Sequence, residues 1–144
     1  MMSPLKNASS NPFTDLLGLK VVRCEREETE VELVLRPELC NALGIGHGGV
    51  TMTMLDVAMG RGARMVDPQA KDGLPGRGAV TAKMEVVFLR PATGRVLKGY
   101  AQAVEADDLQ AVMKSWVVDE RGKKVAQATG VFKYLRSDRT KVQR

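Results

Sequence analysis

Residues that bind metals or form disulfides are scarce in this chain of 144 residues. It contains one histidine, His47, two cysteines, Cys24 and Cys40, and no Cys-x-x-Cys pair. Two cysteines do not build a disulfide framework in a domain of this size, and these few side chains lack the spacing of zinc ligands. We therefore expect neither a metal nor any other bound cofactor.

Aromatic residues are also few, at 4% of the chain. Lysine and arginine outnumber the acidic residues and give a net charge of +5, but they are scattered along the sequence. Nucleic-acid-binding surfaces usually combine clustered cations with aromatic side chains on which bases stack. The charge is therefore interpreted as a solubilising surface, which would also suit an anionic small molecule, and no nucleic-acid partner is expected.

Long apolar runs are absent, since none approaches the roughly 20 residues needed to span a bilayer. Residues 1–12 lack the basic-then-apolar pattern of a signal peptide. These absences predict a soluble, cytoplasmic protein with no membrane partner. A chain of this length holds one domain with a proper core, which we place at 12–136 between a disordered lead (1–11) and a polar tail (137–144).

The hydrophobic pattern predicts one long helix between two groups of strands. The predicted elements are a helical turn over 12–17, strands over 19–26 and 30–36, a helix over 48–66, and strands over 79–90, 95–105, 110–119 and 124–135. Short turns between the last four strands favour an antiparallel meander. Small residues alternate in the last strand, at Ala126, Ala128 and Gly130, and predict close packing on that face. The fold class is α+β, one long central helix wrapped by a curved antiparallel sheet of five to six strands, whose open edges favour self-association.

One carboxylate lies inside the predicted helix. Residues 50–60 are neutral and mostly apolar except for Asp56, and His47-Gly48-Gly49 directly precedes them. The neighbours of Asp56 three and four residues away on the helix include no cation. A carboxylate in an apolar helix is paired, put to use or placed at the solvent edge. We interpret Asp56 as a functional group.

Further residues around this helix resemble those of a known family. They are Asn41, the His47-Gly48-Gly49 turn, Asp56 nine residues after His47, the stretch VTAKMEVVFLRPA at 80–92 and the ending DERGKKVAQATG at 119–130. With them, the chain from about 19 to 135 resembles the hotdog-fold acyl-CoA thioesterases of the phenylacetic acid degradation type. The resemblance implies a hotdog fold and hydrolysis of an acyl-CoA thioester.

Five residues are candidates for the catalytic machinery. Asp56 would act as general base on water or attack the thioester itself, and the Gly48 N–H at the helix N-terminus would hold the oxyanion. His47 either caps the turn or donates a further hydrogen bond, and Asn41 either orients a water or carbonyl or only shapes its loop. Thr81 aligns with a Ser or Thr that helps to place the water in the family. The sequence leaves open which face of the strand Thr81 is on.

Substrate-binding candidates surround these residues. Gly49 lies in the turn, and Met52 and Met59 would line an acyl slot, because thioether side chains adapt to varied shapes, unless they fill the core. Arg90 is one of several basic residues near strand ends that would meet the phosphates of coenzyme A. We expect a medium-chain or aromatic acyl group, with coenzyme A as part of the substrate and no metal, since a thiolate is already a good leaving group.

The spacing of the catalytic candidates predicts an assembly. Gly48 and Asp56 are separated by roughly 12 Å along a helix that rises 1.5 Å per residue. One thioester carbon cannot touch both, whereas two antiparallel helices would set Gly48 of one chain beside Asp56 of the other. The site is therefore predicted at a two-fold dimer interface, and the resemblance implies the same arrangement, with dimers that often pair into tetramers.

Three alternatives have distinct signatures. A Cys40 nucleophile activated by His47 would leave Asp56 unexplained. A non-catalytic acyl-CoA-binding module would bind the thioester without turning it over, since the fold alone does not fix the chemistry. A nucleic-acid-binding protein would show tight, salt-dependent binding.

Overall fold

The computed structural model describes residues 11–136, so the predicted tail, 137–144, and the first ten residues of the predicted lead lie outside it. Asn11, the last residue of that lead, caps the first helix, because its side-chain oxygen accepts hydrogen bonds from the N–H groups of Phe13 and Thr14. This helix, α1, covers Pro12–Leu17 and ends at Gly18, which has a positive φ of 78°. The described fold thus includes Asn11, one residue before the predicted boundary.

A long helix and six strands follow in the predicted order. The elements are β1 (Lys20–Cys24), β2 (Thr29–Val34), a 3-10 turn (Pro37–Leu39), α2 (Gly48–Met65), β3 (Ala79–Phe88), β4 (Val96–Ala106), β5 (Gln110–Val118) and β6 (Lys124–Tyr134). Every neighbouring pair of strands is antiparallel. Between residues 11 and 136 no helix is long and apolar enough to cross a membrane. The α+β class, with one helix on one antiparallel sheet, is confirmed.

The order of strands in the sheet is β1-β2-β4-β5-β6-β3, so the prediction of a four-strand meander is wrong. β4, β5 and β6 do follow one another, but β3 pairs with β6 at the edge of the sheet. Residues 89–95 therefore cross the end of the sheet: the Arg90 N–H donates to the carbonyl of Val125 in β6, and the Arg95 carbonyl accepts from the N–H of Leu35, directly after β2. A segment of this length reaches about 23 Å when extended, whereas three strand spacings are about 14 Å. The segment predicted as a short turn is therefore long enough to be a crossover connection.

Helix α2 packs on one face of the sheet and forms the core with it. Two glycines allow the close approach. A Cβ on Gly62 would lie 2.8 Å from Met113 Cε, and one on Gly130 would lie 3.2 Å from the Sδ and Cε of Met59. The prediction of close packing on the small residues of the last strand is confirmed. The largest fully buried side chains are Val31, Leu33, Met54, Leu55, Met59, Leu97, Met113, Val117, Val125 and Phe132.

A buried ion pair holds the loop between α2 and β3. Arg77 donates to both carboxylate oxygens of Asp67 at 2.8 and 3.0 Å, and the guanidinium lies 4.7 Å from the centre of the Tyr134 ring. Burial opposes ionisation of Asp67, but the hydrogen bonds from Arg77 and from the Gln69 N–H outweigh it and hold the pKa of the Asp67 carboxyl below its usual value. This loop ends at Gly78, directly before β3, so the ion pair fixes where β3 begins.

We expect Asp67→Asn to destabilise the fold by about 3 kcal/mol near neutral pH, because it removes the buried partner of Arg77 and leaves only the exposed carboxylate of Asp108, 3.4 Å away. A carboxyl whose pKa is depressed in the folded state contributes stability above its unfolded pKa, and that contribution is lost as the pH falls through the folded pKa. The difference between wild type and variant should therefore shrink below about pH 4. Urea unfolding of both proteins between pH 3 and 7 measures it, and a difference that does not change with pH would contradict the assignment.

Candidate active site

Asp56 lies half-buried on the face of α2 that meets β3, and its carboxylate has one side-chain partner there. The Thr81 hydroxyl donates to Asp56 Oδ1 at 2.6 Å. A bulge in β3 makes this contact possible, because Thr81 pairs with Phe132 and Lys83 with Val131, so Ala82 is an extra residue. Thr81 consequently lies on the same, helix-facing side of β3 as Met84. Without the bulge, two residues three positions apart would lie on opposite sides of the strand.

The Asp56 carboxylate lines a cavity of about 320 Å³. Apolar atoms of Val57, Ala79 and Phe132 form part of its wall, and the side chains of Arg61 and Arg64 from the next turns of α2 line it as well. The carboxylate is therefore neither sealed in the core nor placed on an open solvent face. It is reachable by a ligand of moderate size, with a hydroxyl beside it and cations further along the helix.

The N-terminus of α2 presents one backbone donor without an acceptor. His47 is the N-cap residue: its Nδ1 accepts from the Gly49 N–H at 2.9 Å, and its carbonyl accepts from Val50 and Thr51. Among residues 11–136, the Gly48 N–H has no hydrogen-bond acceptor. The cap thus uses the neighbouring donors and leaves the Gly48 N–H at the positive end of the helix dipole, where it can bind an oxygen that gains negative charge.

Asn41 shapes the loop before this turn. Its Oδ1 accepts from the N–H groups of Leu43 and Ile45 at 2.9 and 3.2 Å, and its backbone N–H donates to Ile45 O. The side-chain oxygen is thereby used within the loop, as the turn-forming interpretation predicted. Only the Asn41 NH₂ group, on an exposed side chain, is left to donate to a ligand.

A second cavity, of about 300 Å³, opens at Gly48. Phe88 lies against it, with ring atoms 3.6 and 3.7 Å from where a Gly48 Cβ would be. Arg90 also lines this cavity, but its Nη1 donates to the Lys124 carbonyl at 2.6 Å, so part of its guanidinium is engaged. The Gly48 donor and the Asp56 carboxylate therefore open into separate cavities, as the roughly 12 Å between them on the helix requires.

Three predicted contacts are not brought to either cavity as expected. Met59 is wrong as an acyl-slot residue: it is fully buried over Gly130 in the core, because the small residue on β6 leaves room that a long side chain fills. Met52 is 39% exposed on the outer side of α2. The Gly49 N–H is occupied by His47 Nδ1 and cannot bind substrate while the cap holds.

The alternative nucleophile Cys40 is not activated by His47 in this structure. Its thiol donates to the Arg36 carbonyl at 3.5 Å, while His47 Nδ1 accepts from Gly49. No hydrogen bond joins the two side chains in the part of the chain that the structure describes.

Sequence reasoning missed Phe88 and the two arginines of α2. Phe88 lies among other apolar residues at the end of a predicted strand, and nothing in the sequence pattern distinguishes it from them. A signal for Arg64 did exist: it follows Asp56 by two successive steps of four residues, which places both on one ridge of the helix.

Residues 43–126 match the family model described as Thioesterase superfamily, which is more than half of the chain. This chain belongs to the thioesterase superfamily. Its sheet order and single long helix are those of the hotdog fold, as the resemblance implied.

Solved structures of this superfamily agree with the assignment. A Bacillus halodurans protein solved with CoA is 31% identical and has a TM-score of 0.77, with 92% of this chain and 83% of that chain covered. A Shewanella oneidensis protein related to the thioesterase superfamily is 29% identical and has a TM-score of 0.78, with 87% of this chain and 88% of that chain covered. A mutant of the phenylacetic acid degradation protein PaaI from Thermus thermophilus is 27% identical and has a TM-score of 0.74, with 87% of this chain and 100% of that chain covered.

We expect His47→Ala to lower the free energy of unfolding by about 1 kcal/mol, because the Gly49 N–H loses its cap acceptor. His47→Asn is the matched control, since the Asn side-chain oxygen can cap the same turn, and it should recover most of the loss. Urea unfolding of the three proteins measures the effect. Equal stability of wild type and His47→Ala would show that the imidazole does not support the turn.

Proposed function

We propose that this protein is an acyl-CoA thioesterase that hydrolyses a medium-chain or aromatic acyl-CoA to the free acid and CoA. The observation that carries the proposal is the half-buried Asp56, which lines a cavity and accepts a hydrogen bond from Thr81. Two relatives support the substrate class: one was solved with CoA, and another is named for phenylacetic acid degradation.

Asp56 supplies the base or the nucleophile. As a base, its carboxylate takes a proton from water while the water oxygen attacks the thioester carbon, and the tetrahedral intermediate expels the CoA thiolate, which then takes up a proton. As a nucleophile, it attacks the carbon itself, expels the thiolate and forms an anhydride that water then hydrolyses. In either route the Thr81 hydroxyl fixes the orientation of the carboxylate through Oδ1 and leaves Oδ2 for the reaction.

The Gly48 N–H stabilises the oxyanion. The thioester carbonyl oxygen becomes negatively charged as the carbon turns tetrahedral, and a preorganised N–H at the positive end of a helix binds that charge more strongly than the neutral carbonyl. The Gly48 N–H donates to no acceptor within residues 11–136, which supports the role because no hydrogen bond there has to break before the substrate binds.

A second copy of the chain completes each site in this proposal. β3 is an edge strand whose outer side has no partner strand in the described fold, and it exposes Val80, Val87 and Phe88, followed by the exposed Leu89. Such an apolar edge favours pairing with another strand. Two copies that pair along β3 with antiparallel α2 helices would bring Gly48 of one protomer to Asp56 of its partner, giving two equivalent sites per dimer.

The experiment that tests the activity is a panel of acyl-CoA esters, assayed for released thiol, with Asp56→Asn as the variant. We expect turnover to fall at least about a hundredfold, because the neutral amide can still accept from Thr81 but cannot accept a proton or attack carbon. Asp72→Asn, which neutralises an exposed loop carboxylate, is the matched control and should leave turnover unchanged. Comparable turnover by Asp56→Asn would refute the role, and binding of acyl-CoA without turnover by the wild type would favour the non-catalytic module.

The shared site predicts complementation between two inactive variants. Gly48→Pro removes the N–H at the first helical position, where proline fits, and the extended backbone of His47 (ψ of 137°) is compatible with a following proline. A mixed dimer with Asp56→Asn keeps one intact pair of Gly48 and Asp56. Equimolar co-expression should therefore give about a quarter of the wild-type activity, since about half of the dimers are mixed and each has one working site of two.

The control for this experiment is Gly48→Ala, which keeps the N–H. A Cβ at this position would lie 3.6 Å from Phe88, an ordinary contact, so the helix should form as in the wild type. Recovery of activity only in the mixture places the donor and the acid on different protomers. No recovery, with both variants folded and dimeric, would place them in one protomer and contradict the proposed assembly.

A further inference from the structure

Two glycines lie in the second half of α2, and only one of them is explained by close packing. A Cβ on Gly62 would lie 2.8 Å from Met113 Cε in the core, whereas a Cβ on Gly60 would come no closer than 3.5 Å to the Phe132 ring, which is an ordinary contact. A glycine inside a helix is less favourable than an alanine, because it loses more backbone freedom on folding. The core therefore does not explain why residue 60 is a glycine.

Gly60 faces the cavity that the Asp56 carboxylate lines. It follows Asp56 by four residues, so the two are one turn apart on the same face of α2, and both line this cavity of about 320 Å³. The Cα–Cβ bonds of a helix tilt towards its N-terminus, so a side chain at residue 60 would lean back over the turn that carries Asp56. The absence of a side chain at Gly60 thus leaves space directly beside the carboxylate.

The Phe132 ring forms a wall of this space and is held on two sides. Its Cε2 faces Gly60, while its Cε1 would lie 2.9 Å from a Cβ on Gly130, and the side chain is only 1% exposed. A ring that lies between two backbones in a closely packed core has little room to shift. A side chain larger than that of alanine at residue 60 would therefore extend into the cavity rather than displace the ring.

We propose that Gly60 is a specificity-determining residue, which leaves room beside Asp56 for an acyl group that extends about one helical turn from the thioester carbon. This inference rests on the proposed function for the presence of a thioester at Asp56. One turn is about 5.4 Å, a distance that a hexanoyl or phenylacetyl group spans and an acetyl group does not. Apolar atoms of Val57, Ala79 and Phe132 line the same space, so it suits a hydrocarbon chain or ring.

The test measures, by calorimetry, the binding of three thioether analogues to the wild type, Gly60→Ala and Gly60→Val. The ligands are ethyl-CoA, hexyl-CoA and 2-phenylethyl-CoA, which share the coenzyme and differ only in the group that replaces the acyl chain. We expect Gly60→Val to weaken the two larger ligands about tenfold or more relative to ethyl-CoA, and Gly60→Ala to weaken them less, because the added carbons fill the space that these groups need.

The pattern across the three ligands decides the outcome. A selective loss for both larger ligands supports the proposal, and a selective loss for one of them also supports it and identifies the shape of the acyl group. An equal change for all three ligands, no change, or a loss that is greatest for ethyl-CoA overturns the proposal.

Two controls separate cavity size from packing. Gly62→Ala adds the same methyl group to the same helix on the side that faces Met113, so it should leave the ratio of the three affinities as in the wild type. Gly60→Ala should raise the urea midpoint of unfolding, because alanine favours the helix and its Cβ has room. A lower midpoint together with an equal loss for all ligands would show that Gly60 serves packing alone.

Hydrolysis of acetyl-CoA, hexanoyl-CoA and phenylacetyl-CoA separates this inference from the proposed function. If the wild type hydrolyses none of them but the affinities for the thioethers change as expected, the proposed function fails and Gly60 still selects the bound group. If the wild type turns the thioesters over and the ratio of affinities is the same in Gly60→Val, only the inference about Gly60 fails.

Discussion

Helix α2 sets the distance between the two groups on which the proposed chemistry depends. This helix carries its first N–H at Gly48 and its only carboxylate at Asp56, and one side of it is fully buried. Gly62 brings this helix so close to β5 that a Cβ there would lie 2.8 Å from Met113 Cε. The separation of donor and acid is set by the helix, and in the proposed dimer a substrate reaches both groups through a second helix.

β3 connects this constraint to the rest of the fold. Thr81 of this strand donates to Asp56, and Phe88 lies beside Gly48. The strand forms one edge of the sheet, next to β6. Its start is fixed by the Asp67–Arg77 pair, and its end continues into the crossover that packs under the loop of Asn41. One strand thus borders both cavities, and several of its apolar side chains are uncovered in a single protomer.

The sequence was sufficient for the elements, the long helix and the location of Asp56, because these follow from local periodicity and from one charge in an apolar run, and the resemblance of its motifs implied the family. It was insufficient wherever long-range pairing decides. The side of the strand on which Thr81 lies stayed open, since the bulge at Ala82 that brings it to the side of Met84 depends on how β6 pairs with β3. The sequence left open whether Met59 lines an acyl slot or fills the core, because Gly130, against which it packs, lies more than 70 positions further along the chain. The prediction of the strand order was wrong for the same reason, because the length of residues 89–95 permits both a turn and a crossover.

The open space around Gly48 has a consequence for how this protein would fail. Nothing in the protomer requires a glycine there, because the added carbon would make only an ordinary contact with Phe88. In the proposed dimer, a substitution that removes the Gly48 N–H would leave the protomer able to fold and to assemble with normal subunits. Each altered chain would then disable the one site to which it should supply this N–H, even when the acid of that site belongs to an intact partner, and the defect would not be detected as misfolding.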